Sequence, residues 1–112
     1  MFTYVGSANN TTNGVSLGAA GQDVLVRGLI IGKPVANGSV TLYNKAVAFN
    51  GDTSDIAFKV TLPATISSSY TYAYQTVYDF TYGGMSKGLE LDGGNVQVDQ
   101  DMQVTVIWDL KE

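Results

Sequence analysis

At 112 residues, with six Lys or Arg against ten Asp or Glu and a net charge of −4, the chain has the length of one domain, enough for a two-sheet core and too little for a second domain. It contains no cysteine and no histidine, which removes disulfides, thiolate metal sites, the commonest transition-metal ligand and the usual general base. Its cations, Arg27, Lys33, Lys45, Lys59, Lys87 and Lys111, stand singly; no basic patch marks a nucleic-acid partner, and no run approaches the ~20 apolar residues of a membrane helix.

The first residues, Met1-Phe2-Thr3-Tyr4-Val5-Gly6, lack the basic-then-apolar layout of a signal peptide, so a soluble product made in the cytoplasm is expected. Asn9, Asn10 and Asn37 begin Asn-x-Ser/Thr sequons and read as loop residues. Residues 6–22 carry no charge and few large apolar groups, which leaves little to offset the entropy of ordering them. They are expected to be a flexible arm or a long loop, either a frayed terminus or an arm that orders on a neighbouring subunit, with Phe2, Tyr4 and Val5 as a short anchoring strand.

The body is expected to begin at Asp23. Residues 24–31 are apolar nearly throughout, as in a strand covered on both sides, and Gly28 marks a bend or bulge. Pro34 and Asn37-Gly38 supply turn chemistry. Val40 and Leu42 then alternate with Thr41 and Tyr43, and after the turn at Asn50-Gly51-Asp52, Ile56, Phe58, Val60 and Leu62 form an apolar face opposite Ala57, Lys59 and Thr61.

Tyr70, Tyr72, Tyr74, Tyr78, Phe80 and Tyr82 all fall at even positions. So long a run is expected to break near Gln75-Thr76 into a loop piece and a strand over about Val77 to Tyr82. The turn Asp92-Gly93-Gly94-Asn95 precedes a short Val96–Val98 strand. Met102, Val104, Val106 and Trp108 then share one face of the last strand, with Gln103, Thr105 and Asp109 on the other. Seven or eight short strands without a helical segment predict an all-β fold: a single-domain antiparallel β-sandwich of Greek-key or jelly-roll type, with a closed barrel as the alternative. The division expected is residues 1–22 as arm or long loop and 23–112 as sandwich. Its core should be built on Trp108, Val106, Val104, Ile56, Phe58, Val60 and Leu42.

Little in the chain offers catalysis. A carboxylate pair could be drawn from Asp52, Asp55, Asp79 or Glu90, but nothing in their spacing makes two of them converge, and they read as turn and strand-edge residues. Asp92, Asn95, Asp99 and Asp101 form an oxygen-rich cluster without the alternating ligand spacing or closing glutamate of a calcium loop. No catalytic residue, metal or cofactor is expected. The tyrosines admit three readings: core, subunit interface, or a stacking surface for sugars. As candidate interface residues we take Phe2, Tyr4, Tyr70, Tyr72 and Tyr74. Low charge and apolar strands point to a homo-oligomer, with a trimer favoured.

Four stretches, Val26-Arg27-Gly28-Leu29-Ile30-Ile31-Gly32, Pro34 to Tyr43, Ile56 to Pro63 and Gly88 to Trp108, resemble the small β-sandwich structural proteins of tailed bacteriophage virions, in particular head decoration or cement proteins. The resemblance implies a non-enzymatic accessory protein of the virion. Such a protein docks on the assembled capsid, often as a trimer, and bridges neighbouring copies of the major capsid protein against the pressure of packaged DNA. The alternative is a small glycan-binding or adhesion module of a tail or fibre.

Overall fold

A computed structural model describes residues 2–6, 14–19, 21–33, 35–49, 52–64, 76–80, 88–100 and 102–111, with the backbone alone for residues 2–6, 33, 76 and 77. The strands are β1 (Phe2–Gly6), β2 (Val15–Ser16), β3 (Val24–Lys33), β4 (Ser39–Asn44), β5 (Ile56–Thr61), β6 (Thr76–Asp79), β7 (Leu89–Leu91), β8 (Gly94–Asp99) and β9 (Gln103–Leu110). No helix occurs among the described residues. The first sheet runs β1-β9-β3-β6, with β7 pairing the other half of β3, and the second runs β2-β8-β4-β5. Every pairing is antiparallel. Two separate sheets sharing one core replace the closed barrel.

The core follows from alternation. Met102, just before β9, and Val104, Val106 and Trp108 of β9 are buried in one cluster with Val40 and Leu42 of β4 and Val96 and Val98 of β8. In β3 an extra residue, Arg27, sits between the pairs Val26↔Trp108 and Gly28↔Ile107, so the bend expected at Gly28 is a bulge. It switches the inward parity: even-numbered Val24 and Val26 before it and odd-numbered Leu29 and Ile31 after it all enter the core. Leu25 is buried as well, while Ile30 is half-buried, so the covering of β3 on both faces is complete only near its start.

A second bulge changes one expected core residue. Leu42 pairs with Phe58 and Tyr43 with Ile56, which leaves Ala57 as the extra residue of β5. Phe58 and Val60 still pack against the core, joined there by Ala57, but Ile56 does not. Strict alternation assigned Ile56 inward because it could not show the inserted residue. The expected turn at Asn37-Gly38 is present: Asn37 has φ 62°, the Gly38 N–H bonds to Val35 O at 2.9 Å, and a Cβ on Gly38 would stand 2.9 Å from that same backbone oxygen, so a side chain there would force the turn to shift.

The segment expected as a uniform arm has structured parts. β2 pairs Val15 with Val96 and Ser16 with Asn95. Leu17 is fully buried in the core, with its N–H bonded to Gly94 O at 3.1 Å. A Cβ on Gly18 would lie 3.2 Å from Trp108 Cη2. A single leucine at the right position thus offsets the polarity of its neighbours. Residues 7–13 and 20 lie outside the described residues.

Candidate interaction surface

The inner face of the second sheet belongs to the core, while its outer face is polar and nevertheless buried. Thr41 and Tyr43 of β4 and Asn95 and Gln97 of β8 form this outer row, all with little exposure. What covers them is the chain that leaves β4, residues 45–49, closed at its base where the Asn44 N–H bonds to Asp55 O at 2.8 Å.

Buried amides need partners, and here the partners are the loop's carbonyls. Gln97 Nε2 donates to Ala48 O at 2.5 Å and to Phe49 O at 3.0 Å. Asn95 Nδ2 and Ser16 Oγ both donate to Ala46 O, at 2.9 and 3.0 Å. The Tyr43 hydroxyl has one proton to give and gives it to Asp52 O at 2.7 Å; Gln97 Oε1 stands further off at 3.4 Å. The loop is therefore held at residues 46, 48, 49 and 52 by side chains of β2, β4 and β8, up to 49 positions away.

Asp52 locks the far end. Its carboxylate is ion-paired with Lys45 Nζ and accepts from the Ser54 N–H at 2.9 Å and Ser54 Oγ at 2.8 Å. The Lys45 ammonium, seconded by the Ser54 N–H, holds the Asp52 carboxyl down to about 2. Burial, with the Asp52 charge adding to it, pushes the Tyr43 phenol up. Lys45 also lies over the Tyr43 and Phe49 rings, 5.6 and 5.9 Å from their centroids.

Seen from outside, the loop alternates. Ala48 points inward and is fully buried, while Val47 and Phe49 are 61% and 63% exposed, the most exposed large apolar side chains among the described residues. Two exposed carboxylates flank its base: Asp55 through the bond to Asn44 N, and Asp92, whose N–H donates to Asn44 Oδ1 at 3.1 Å. Gly93, at φ +80°, lets the β7–β8 turn approach, since its Cβ would sit 3.3 Å from Ala46 N.

The other candidate residues lie elsewhere. The backbones of Phe2 and Tyr4 stand opposite Trp108 and Val106. Tyr70, Tyr72, Tyr74 and Tyr82 lie outside the described residues. Tyr78 and Phe80 fall on the core side, edge-on to Phe58 with centroids 5.4 and 5.1 Å apart. Of the carboxylates considered above, Asp52 and Asp55 follow β4, with Asp52 ion-paired to Lys45, and Asp79 and Glu90 lie on strands of the first sheet, with Glu90 ion-paired to Lys111. Asp92 and Asp99 are held apart by the length of β8, about 17 Å for a six-residue strand, and Asn95 turns its amide to Ala46. Among the described residues no group of three or more His, Cys, Asp or Glu could hold a metal ion.

Sequence reasoning placed a turn at Asn50-Gly51-Asp52, of which Asn50 and Gly51 lie outside the described residues, but missed that residues 45–49 fold over the sheet. The available signal was the pairing of polar Asn95 and Gln97 with core Val96 and Val98, beside Thr41 and Tyr43 with Val40 and Leu42, which put two polar rows on one outer face. No family model, curated protein or solved structure matches the chain.

Proposed function

We propose that the chain is a non-enzymatic virion structural protein of the head decoration or cement type, resident on the capsid surface, where it binds the assembled head and bridges neighbouring copies of the major capsid protein. The observation that carries this reading is the second sheet's outer face. Its buried polar groups are spent on holding a loop that exposes Val47 and Phe49, an arrangement suited to contact rather than to chemistry. The sequence resemblance to decoration proteins and the lack of histidine and cysteine point the same way.

In this reading the topology is of jelly-roll type. β3 and β4 lie in different sheets and pair with β9 and β8 respectively, as if one long ribbon had been folded over the core. The protein acts as an oligomer, a trimer by preference, so that modest contacts repeated on a symmetric lattice gain avidity.

Purified protein is to be sedimented with expanded heads of the phage that carries its gene, and in parallel applied to an immobilised glycan panel. Retention on heads without glycan binding is expected. Glycan binding without retention on heads overturns the reading in favour of an adhesion module.

A further inference from the structure

We infer that residues 45–49 form the element that docks on the head, with Val47 and Phe49 entering an apolar socket whose rim is basic. This rests on the decoration reading above and adds the surface and the chemistry of its partner.

The first argument concerns what the loop's anchoring achieves. A loop retained only to cover the sheet would turn its large apolar groups inward. Here the inward position is Ala48 and the outward ones are Val47 and Phe49. Side chains from three strands, Tyr43, Asn95, Gln97 and Ser16, fix the backbone carbonyls around them. A segment ordered before binding loses little further conformational freedom on docking, and a rigid aromatic anchor beside a smaller apolar one is the composition of an interface hot spot.

Charge selects the occupant. Lys45, the cation nearest the tip, is neutralised by Asp52, so the charges left at the loop base are the exposed carboxylates Asp55 and Asp92. A second copy meeting this patch through a twofold contact would face the same carboxylates. Elsewhere among the described residues Arg27 and Lys111 are engaged with Asp109 and Glu90, and Lys59, exposed on β5 opposite Thr41, stands singly, so these cations form no basic rim for a head-to-tail contact. An anionic lipid surface meets the same repulsion. A different protein, with lysine or arginine around an apolar pocket, complements both features.

The test uses the full chain, the V47S/F49S double variant and the D55K/D92K double variant, each competing with labelled wild-type protein for expanded heads. V47S/F49S is expected to unfold at the wild-type temperature and to compete about 30-fold less well, the effect of losing a hot spot. D55K/D92K should associate about tenfold more slowly at low salt, the difference shrinking as salt is added. Equal competition by folded V47S/F49S overturns the surface assignment while leaving the decoration reading intact; failure of the wild type itself to bind heads removes that reading. Should V47S/F49S not fold, D55K/D92K decides: unchanged association at low salt overturns the inference. Binding of the wild type to phosphatidylcholine–phosphatidylglycerol vesicles, lost in V47S/F49S, would replace the protein partner with a lipid surface.

Discussion

The outer faces of the two sheets have opposite characters. On the first sheet Thr105, Ile107 and Ile30 are half-buried and the Arg27–Asp109 pair, at 2.9 Å, keeps about a quarter of each side chain in solvent. On the second, Thr41, Tyr43, Asn95 and Gln97 are nearly sealed off by residues 45–49. Alternation of apolar and polar residues therefore identifies an inner face but says nothing of whether the polar face meets water. On the first sheet polarity serves solvation, and on the second it serves as a scaffold for a loop.

What the two faces share is the core between them, and disrupting it gives the largest expected effects. Trp108→Ala should destabilise by about 3–5 kcal/mol and Leu17→Ala by about 2–5 kcal/mol, read from urea unfolding. Either loss is a large part of a marginal domain's stability. The Leu17 value also measures whether residues 14–19 belong to the folded unit: a cost near zero would return them to a peripheral arm.

The next effect separates the faces. Gln97→Ala removes the amide that serves both Ala48 O and Phe49 O, the latter keeping the Asp52 N–H, and should cost about 1–3 kcal/mol. Thr105→Ala, at a half-exposed outward position of β9, should stay within about 0.5 kcal/mol. Equal costs at the two positions would erase the distinction drawn here. Tyr43→Phe, which removes the hydroxyl's bond to Asp52 O and its longer approach to Gln97 Oε1, belongs between them at about 1 kcal/mol. Loosening of the loop in Gln97→Ala should also appear as faster amide exchange at Asp52, whose N–H bonds to Phe49 O at 3.0 Å.

The inner faces were legible because a strand's two-residue period writes itself locally. Met102 to Trp108 and Phe58 to Val60 were read correctly, and so were the turn at Asn37-Gly38 and the irregularity at Gly28. Ile56 was misread because a bulge is an inserted residue whose only trace lies in the partner strand. Leu17 was overlooked because its burial depends on β2 meeting β8, a pairing eighty residues apart in the chain. The loop was missed for the same reason: Gln97 and Ala48 are separated by 49 positions, and no local composition encodes that bond. Tyr43, read as the polar partner of Leu42, owes its burial to chain that arrives afterwards.

The smallest effects come from two of the ion pairs, Arg27–Asp109 on the first sheet and Lys45–Asp52 at the second, and they test the same contrast by pH and salt. Arg27–Asp109 is partly solvated, so Asp109→Asn should cost little and the difference should fade in high salt. Lys45–Asp52 is different in kind, because the Asp52 side chain is 3% exposed and its carboxyl titrates at about 2 in the folded protein, against about 3.9 for an unfolded aspartate. Between those values the unfolded chain takes up a proton that the folded one refuses, which favours unfolding as the pH falls. The stabilisation by Asp52 is complete above about pH 4 and is lost as the pH drops towards 2. Asp52→Asn should therefore lower stability at neutral pH and flatten the acid limb of the stability curve across that interval, leaving the part due to other carboxylates. Thermal unfolding of wild type and variant followed from pH 6 to pH 2 checks this. Parallel curves would mean that the pair contributes no proton linkage, and that the far end of the loop is held by the Tyr43 hydroxyl and the Gln97 amide instead.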